Sequence, residues 1–152
     1  MSVTQIKLGT PVLTFPANRS PDGTIDAALI PVGSVFHGRE SAWAASPNRA
    51  YILIMQGDGN LVLYKAIGQN PAPAPGAVMT VQPLWASNTT GRSAEYFAVQ
   101  DDGNLVIYTA KNEAVWSSGT QGDWLSGLYL QTNGNLVLYK LAPAWGTNTA
   151  QK

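Results

Sequence analysis

Three stretches of this chain share one nine-residue pattern: Gln56–Tyr64 (QGDGNLVLY), Gln100–Tyr108 (QDDGNLVIY) and Gln131–Tyr139 (QTNGNLVLY). Alternate positions carry Gln, Asp, Asn, Val and Tyr, and the third copy departs once, with Asn133 in the Asp position. These side chains suit a neutral ligand rich in hydroxyls. Asp offers acceptors only, Asn and Gln offer both donors and acceptors, and Tyr offers a hydroxyl. Val adds a small apolar contact for ring carbons. One copy of such a motif is weak evidence, because Asp in a turn often caps its own backbone and Tyr is an ordinary strand residue. Three copies imply a repeated unit. Recurrence of outward-facing Asn, Val and Tyr favours a binding face, since a fold needs only alternation there.

The pattern also dictates the elements that position it. Ile52–Gln56 is rich in strand formers, Gly57-Asp58-Gly59 is a turn cluster, and Asn60–Tyr64 alternates again, so each copy predicts a tight hairpin. Alternation places Asn60, Val62 and Tyr64 on one face and Leu61 and Leu63 on the other. The same split assigns Leu105 and Ile107, and Leu136 and Leu138, to the core. A tryptophan follows each copy in a similar setting: Trp85-Ala-Ser-Asn-Thr, Trp116-Ser-Ser-Gly-Thr and Trp145-Gly-Thr-Asn-Thr. These tryptophans are expected to fill the middle of three small sheets about a shared axis. Gln69–Gln82, with its alternating prolines Pro71, Pro73 and Pro75, is expected as a surface loop inserted in the first repeat. Residues 1–28 lie outside the repeats as an edge strand or tail, and 29–152 form the repeat domain. Pro, Gly, Asn and Ser interrupt every helical pattern, so the fold class is all-β.

With 152 residues the chain is one ordinary domain, and 45 % of it is hydrophobic. Nine basic residues balance nine acidic ones, which argues against nucleic acid and against a polybasic membrane patch. There is no cysteine, so the fold depends on its core alone. The N-terminus lacks a basic segment followed by an apolar run, and no stretch approaches a transmembrane helix. The expectation is cytoplasmic synthesis, with release or extracellular action by another route.

The threefold Gln-x-Asp-x-Asn-x-Val-x-Tyr resembles the signature of the bulb-type, or monocot, mannose-binding lectins, over residues from about 29 to 149. The resemblance implies a β-prism II fold, three four-stranded sheets with pseudo-threefold symmetry, each able to carry one mannose. It implies that Gln, Asp and Asn bond the O3 and O2 hydroxyls, Tyr bonds O4, and Val packs on the ring. The implied sites are Gln56, Asp58, Asn60, Val62 and Tyr64; Gln100, Asp102, Asn104, Val106 and Tyr108; and Gln131, Asn133, Asn135, Val137 and Tyr139. Sites one and two are expected to fill before the third, whose Asn133 lacks the charge that strengthens a hydrogen bond. The resemblance also implies C-terminal strand exchange, hence a homodimer. Lacking the disulfide and signal peptide of many plant members, the chain looks like a bacterial or other non-plant relative.

Rival functions find less support. The lone His37 has no serine or carboxylate in a recognisable arrangement, and each repeat offers one Asp where glycosidase chemistry needs two carboxyl groups. No enzyme activity, cofactor or metal is expected. A lectin-like bacteriocin acting on surface polysaccharide remains an alternative, as does a degenerate structural or protein-binding module of the same fold.

Overall fold

Strand-forming runs broken by Gly-Asn and Asp-Gly clusters give hairpins throughout, and the hairpins assemble into three antiparallel sheets. The computed structural model describes residues 2–17, 26–122, 127–140 and 143–151. Among these the strands in chain order are β1 (Thr4–Lys7), β2 (Phe15–Ala17), β3 (Ala27–Ile30), β4 (Val35–His37) and β5 (Trp43–Ala45). β6 (Tyr51–Met55), β7 (Leu61–Ala66), β8 (Val78–Ala86), β9 (Ala94–Val99) and β10 (Leu105–Thr109) follow. β11 (Ala114–Ser117), β12 (Gly127–Gln131), β13 (Leu136–Tyr139) and β14 (Pro143–Gly146) complete the order. A single 3-10 turn, Gly38–Glu40, is the only helical element among the described residues. No helix there is long and apolar enough to cross a membrane.

Sheet I has the order β1-β8-β7-β6-β5, sheet II β11-β10-β9-β4, and sheet III β14-β13-β12-β3-β2. Each contains one motif hairpin: β6–β7, β9–β10 and β12–β13. Two sheets have five strands instead of the expected four, because the N-terminal segment lends β1 to the edge of β8 and β2 to the edge of β3. Edge strands expose unpaired backbone groups, and the added strands cover those of β8 and β3, becoming short edge strands themselves. The C-terminal β14 pairs with β13 of the same chain, Trp145 lying opposite Leu138.

The central core follows the alternation. Leu61, Leu63, Leu105, Ile107, Leu136 and Leu138 are buried together with Phe36, Leu53, Phe97, Val99, Leu128 and Leu130. Trp85, Trp116 and Trp145 pack against this core and against one another, with ring centroids 5.5–5.7 Å apart and edge-on geometry in every pair. Edge-to-face contact aligns the positive ring edge with the negative face of the next ring, so three tryptophans can close a triangle without a repulsive sandwich.

The proline-rich insertion is shorter as a loop than Gln69–Gln82. β8 begins at Val78, where pairing with β1 extends it, so only the segment before Val78 is loop. Asn70 secures that loop: its amide donates to the carbonyls of Ile67 and Thr80 and accepts from the Thr80 amide at 2.7 Å.

Candidate functional site

The three motifs form three hairpins of the same construction. In the first, the Gln56 amide donates to the Asn60 carbonyl at 2.9 Å and Gly59 N donates back to the Gln56 carbonyl at 3.0 Å. Asp58 Oδ1 accepts from Asn60 N at 3.0 Å, Asp102 Oδ1 from Asn104 N at 2.9 Å, and Asn133 Oδ1 from Asn135 N at 3.0 Å. The Asp position thus caps its own turn, and Asn133 performs this part as well as an aspartate.

The motif asparagine also has a structural duty. Asn60 Oδ1 accepts from Ser87 Oγ at 3.1 Å and from Asn88 N at 2.9 Å. Asn104 Oδ1 accepts from Ser118 Oγ and from Gly119 N, both at 3.1 Å. Asn135 Oδ1 accepts from Thr147 Oγ1 at 3.0 Å and from Thr149 N at 3.2 Å. The hydroxyls of Thr89, Thr120 and Thr149 then donate to the carbonyls of Gly59, Gly103 and Gly134, each at 2.6 Å. Each Asn oxygen is therefore spent on the segment after the tryptophan, leaving the amide nitrogen as the donor for a ligand. The expectation that the fold needs only alternation on this face is corrected: it needs the Asn as well. The clue was present in the sequence, because Trp85, Trp116 and Trp145 are each followed two and four positions later by Ser or Thr and then Thr.

Beyond this shared scaffold the sites diverge. In the second, Gln100, Asp102 and Tyr108 line an open groove of about 450 Å³, together with Val35 and Ala98. The Gln100 amide is satisfied when its nitrogen donates to both Asp102 oxygens at 3.2 and 3.3 Å and its oxygen accepts from the Tyr108 hydroxyl. Gln, Asp and Tyr so form one chain of hydrogen bonds at the groove wall. Tyr108 stacks on Tyr96 at 5.2 Å, and the Tyr96 hydroxyl donates to Asn112 at 2.6 Å, which fixes the wall.

The first site repeats the polar chain. Gln56 Nε2 donates to both Asp58 oxygens at 3.2 Å and Gln56 Oε1 accepts from the Tyr64 hydroxyl. Its face is nonetheless closed. Tyr64 is only 6 % exposed, whereas Tyr108 is half-buried; with Val62, which is buried like Val106 of the second site, it belongs to a second core cluster with Leu8, Trp43, Ile52, Ile54, Met79 and Val81. The motif Val is buried in all three repeats, so the tyrosine makes the difference here: Tyr64 shares its cluster with Leu8 of the N-terminal segment. The segment is anchored on both sides: Leu8 N donates to Ala77 O at 2.9 Å, Gly9 N to Ser41 O at 3.1 Å, and Trp43 Nε1 to Gly9 O at 2.9 Å. Gly9 permits this approach, since a Cβ there would lie 1.8 Å from the Glu40 carbonyl oxygen. Burial pushes the Tyr64 phenol above its ordinary value, and the Asp58 carboxylate pushes the same way. Asp58 itself stays exposed, on a separate groove shared with Glu95, Lys111 and Glu113.

The third site is closed too. Gln131, Val137 and Tyr139 are buried, Gln131 Nε2 reaches the Tyr139 hydroxyl at 3.3 Å, and Tyr129 packs edge-on against the Tyr139 ring at 5.5 Å. The structure thus brings each expected quintet together, and it sets Gln, Asp and Tyr of the second on an open groove.

Comparison with known proteins agrees with this architecture. No family model matches the chain. A mannose-specific lectin of Narcissus pseudonarcissus is 38 % identical over 66 residues, 43 % of this chain and 48 % of that protein. The chain spans less than half the length of the curated relatives it matches. Among solved structures, a monomeric monocot mannose-binding lectin from Gastrodia elata superposes with a TM-score of 0.60 at 30 % identity, covering 78 % of this chain and 94 % of that one. The snowdrop (Galanthus nivalis) agglutinin, complexed with methyl-α-D-mannoside, superposes with a TM-score of 0.54 at 30 % identity, covering 78 % and 93 %. Three antiparallel sheets, a tryptophan triangle and a thrice-repeated hairpin site, matched across almost the whole of these structures, place the chain in the family of monocot mannose-binding lectins.

Proposed function

We propose that the protein is a non-catalytic, calcium-independent lectin that binds mannose chiefly through its second repeat. The observation that carries this reading is the open groove lined by Gln100, Asp102 and Tyr108. Two neighbouring sugar hydroxyls are served by the Asp102 carboxylate and the Asn104 amide and a third by Tyr108, with Val106 buried behind them. The relatives named above bind mannose or carry a mannoside, which supports the same ligand for this chain. Such a site discriminates by geometry, because a misplaced hydroxyl loses its partner and stays desolvated. No group of three or more His, Cys, Asp or Glu side chains gathers among the described residues.

An open groove makes few contacts with one sugar, so monosaccharide affinity belongs near the millimolar range, about −4 kcal/mol. Retention on a mannose column in the presence of EDTA is the test. Elution by the chelator alone would end the calcium-independent reading, and flow-through in both conditions would end the mannose reading. Assembly follows from the sheet edges. The homodimer expected from strand exchange would trade the pairing of β14 with β13 for the same pairing between two chains, whereas here β1 and β2 already occupy the edges of β8 and β3 within one chain. A monomer in solution is the state these edges favour, checked by light scattering.

A further inference from the structure

Sheet II ends at β4, and a second groove of about 410 Å³ lies beyond that edge. Its walls are Pro11, Val12 and Leu13 of the N-terminal segment on one side and Pro31, Val32 and Val35 on the other. The polar members, Thr10, Ser34, His37 and Glu40, are a minority of the lining. Leu13 is 70 % exposed, Val32 37 % and Val35 39 %, so three of the six exposed large apolar side chains of the described residues converge here. Single apolar side chains on a surface are ordinary, whereas a concave cluster of them marks a place that something apolar covers.

The groove is continuous with the second site. Gly33, Ser34 and Val35 line both. The Val35 backbone pairs with Ala98, another wall of the sugar groove, so one edge strand separates a polar cleft from an apolar one. Gly33 leaves the crossing bare: a Cβ added there would meet nothing within 4 Å. A ligand seated in the polar cleft and extended across β4 meets hydrocarbon on the far side. A further sugar ring would bring hydroxyls to walls that are mostly apolar, and each unpartnered hydroxyl would cost binding.

We propose that the apolar groove beyond β4 holds the hydrocarbon tail of an amphiphilic mannoside whose sugar lies in the second site. The proposal rests on the mannose reading of that site and extends it to the group attached to the sugar. Transfer of the tail from water supplies the added affinity, in proportion to the apolar area covered.

The test is a titration of the full chain, followed by NMR, with methyl mannoside and with octyl mannoside below its micelle concentration. Octyl mannoside should bind at least about tenfold more tightly, with shifts at the Leu13 and Val32 methyl signals that methyl mannoside does not cause. Leu13→Ser and Val32→Ser change exposed side chains outside the sugar cleft. They should leave methyl mannoside affinity unchanged and remove the octyl gain. Equal affinity for the two mannosides, or an octyl gain that survives both substitutions, overturns the groove assignment and leaves the mannose reading standing. Absence of any methyl mannoside binding would instead overturn the mannose reading itself.

Discussion

The first and second sites carry the same five residues, yet one faces a packed layer and the other an open groove. Their hairpins, Asp caps and Asn–Ser–Thr locks are alike to within a few tenths of an ångström. The difference comes from what lies over them. Sheet I presents Ile52, Ile54, Val62, Met79 and Val81 on its outer face, enough hydrocarbon to attract Leu8 and hold the N-terminal segment in place. The corresponding face of sheet II presents Tyr96, Ala98, Val106 and Tyr108, which is more polar; Ala98 and Val106 are buried there too, but both tyrosines stay half-buried. A binding motif therefore specifies a constellation, while the residues around it decide whether a ligand can reach that constellation.

The largest expected effect separates the two sheets by stability. Leu8 is 1 % exposed, and Leu8→Ala should cost about 3 kcal/mol through lost burial and a residual cavity. Denaturant unfolding would show it, with mannose affinity at the second site unchanged. A loss below about 0.5 kcal/mol, no larger than that of an ordinary surface substitution, would mean that the N-terminal segment does not seal sheet I.

Binding should separate the sites in the opposite sense. Asp102→Ala removes the charged acceptor from the open groove and should weaken mannose binding at least roughly tenfold, as loss of a hydrogen bond to a charged group does. Asp58→Ala should leave the measured affinity nearly as it was. Calorimetric titration of both variants checks this, and equal losses would show that the first site is open in solution.

A smaller effect should fall on both repeats alike. Asn60→Ala and Asn104→Ala each remove the oxygen that holds the Ser-x-Thr segment, at a cost of about 1–2 kcal/mol in stability. Only Asn104→Ala should also weaken mannose binding. A stability change in one variant alone would break the equivalence of the two scaffolds.

The smallest effect belongs to Tyr64. Its phenol is raised above 10.0 in the folded chain by burial first and by Asp58 second. The contribution to stability is full below the ordinary phenol value and is lost as pH rises through the raised folded value. Ultraviolet titration should find Tyr64 ionising above 10.0, and a normal value would indicate an exposed first site.

Much of the fold was legible because period-two alternation leaves little choice. Leu61 and Leu63, and their counterparts in the other repeats, had to turn inward together, and the tryptophans recurring after each repeat had to meet near the axis. Part of the difference between sheets was also written in the chain. Tyr51-Ile-Leu-Ile-Met55 is apolar at every position, the mark of a strand covered on both faces, whereas Ala94-Glu-Tyr-Phe-Ala-Val99 carries Glu95. The recurring Ser/Thr-x-Thr after Trp85, Trp116 and Trp145 was visible as a pattern, but its partner was not. Asn60 and Ser87 lie 27 positions apart, and no local rule connects them.

By itself the sequence determined the all-β class, the three hairpins and the inward leucines, because these depend on local alternation and turn chemistry. Only the tertiary structure decided that Leu8 joins the cluster over the first site, that β1 and β2 extend two of the sheets, and that an apolar groove adjoins the second site. Each of these depends on segments far apart in the chain meeting across a sheet edge. Which edges meet is set by the apolar area they bury together, a quantity no single stretch of sequence contains.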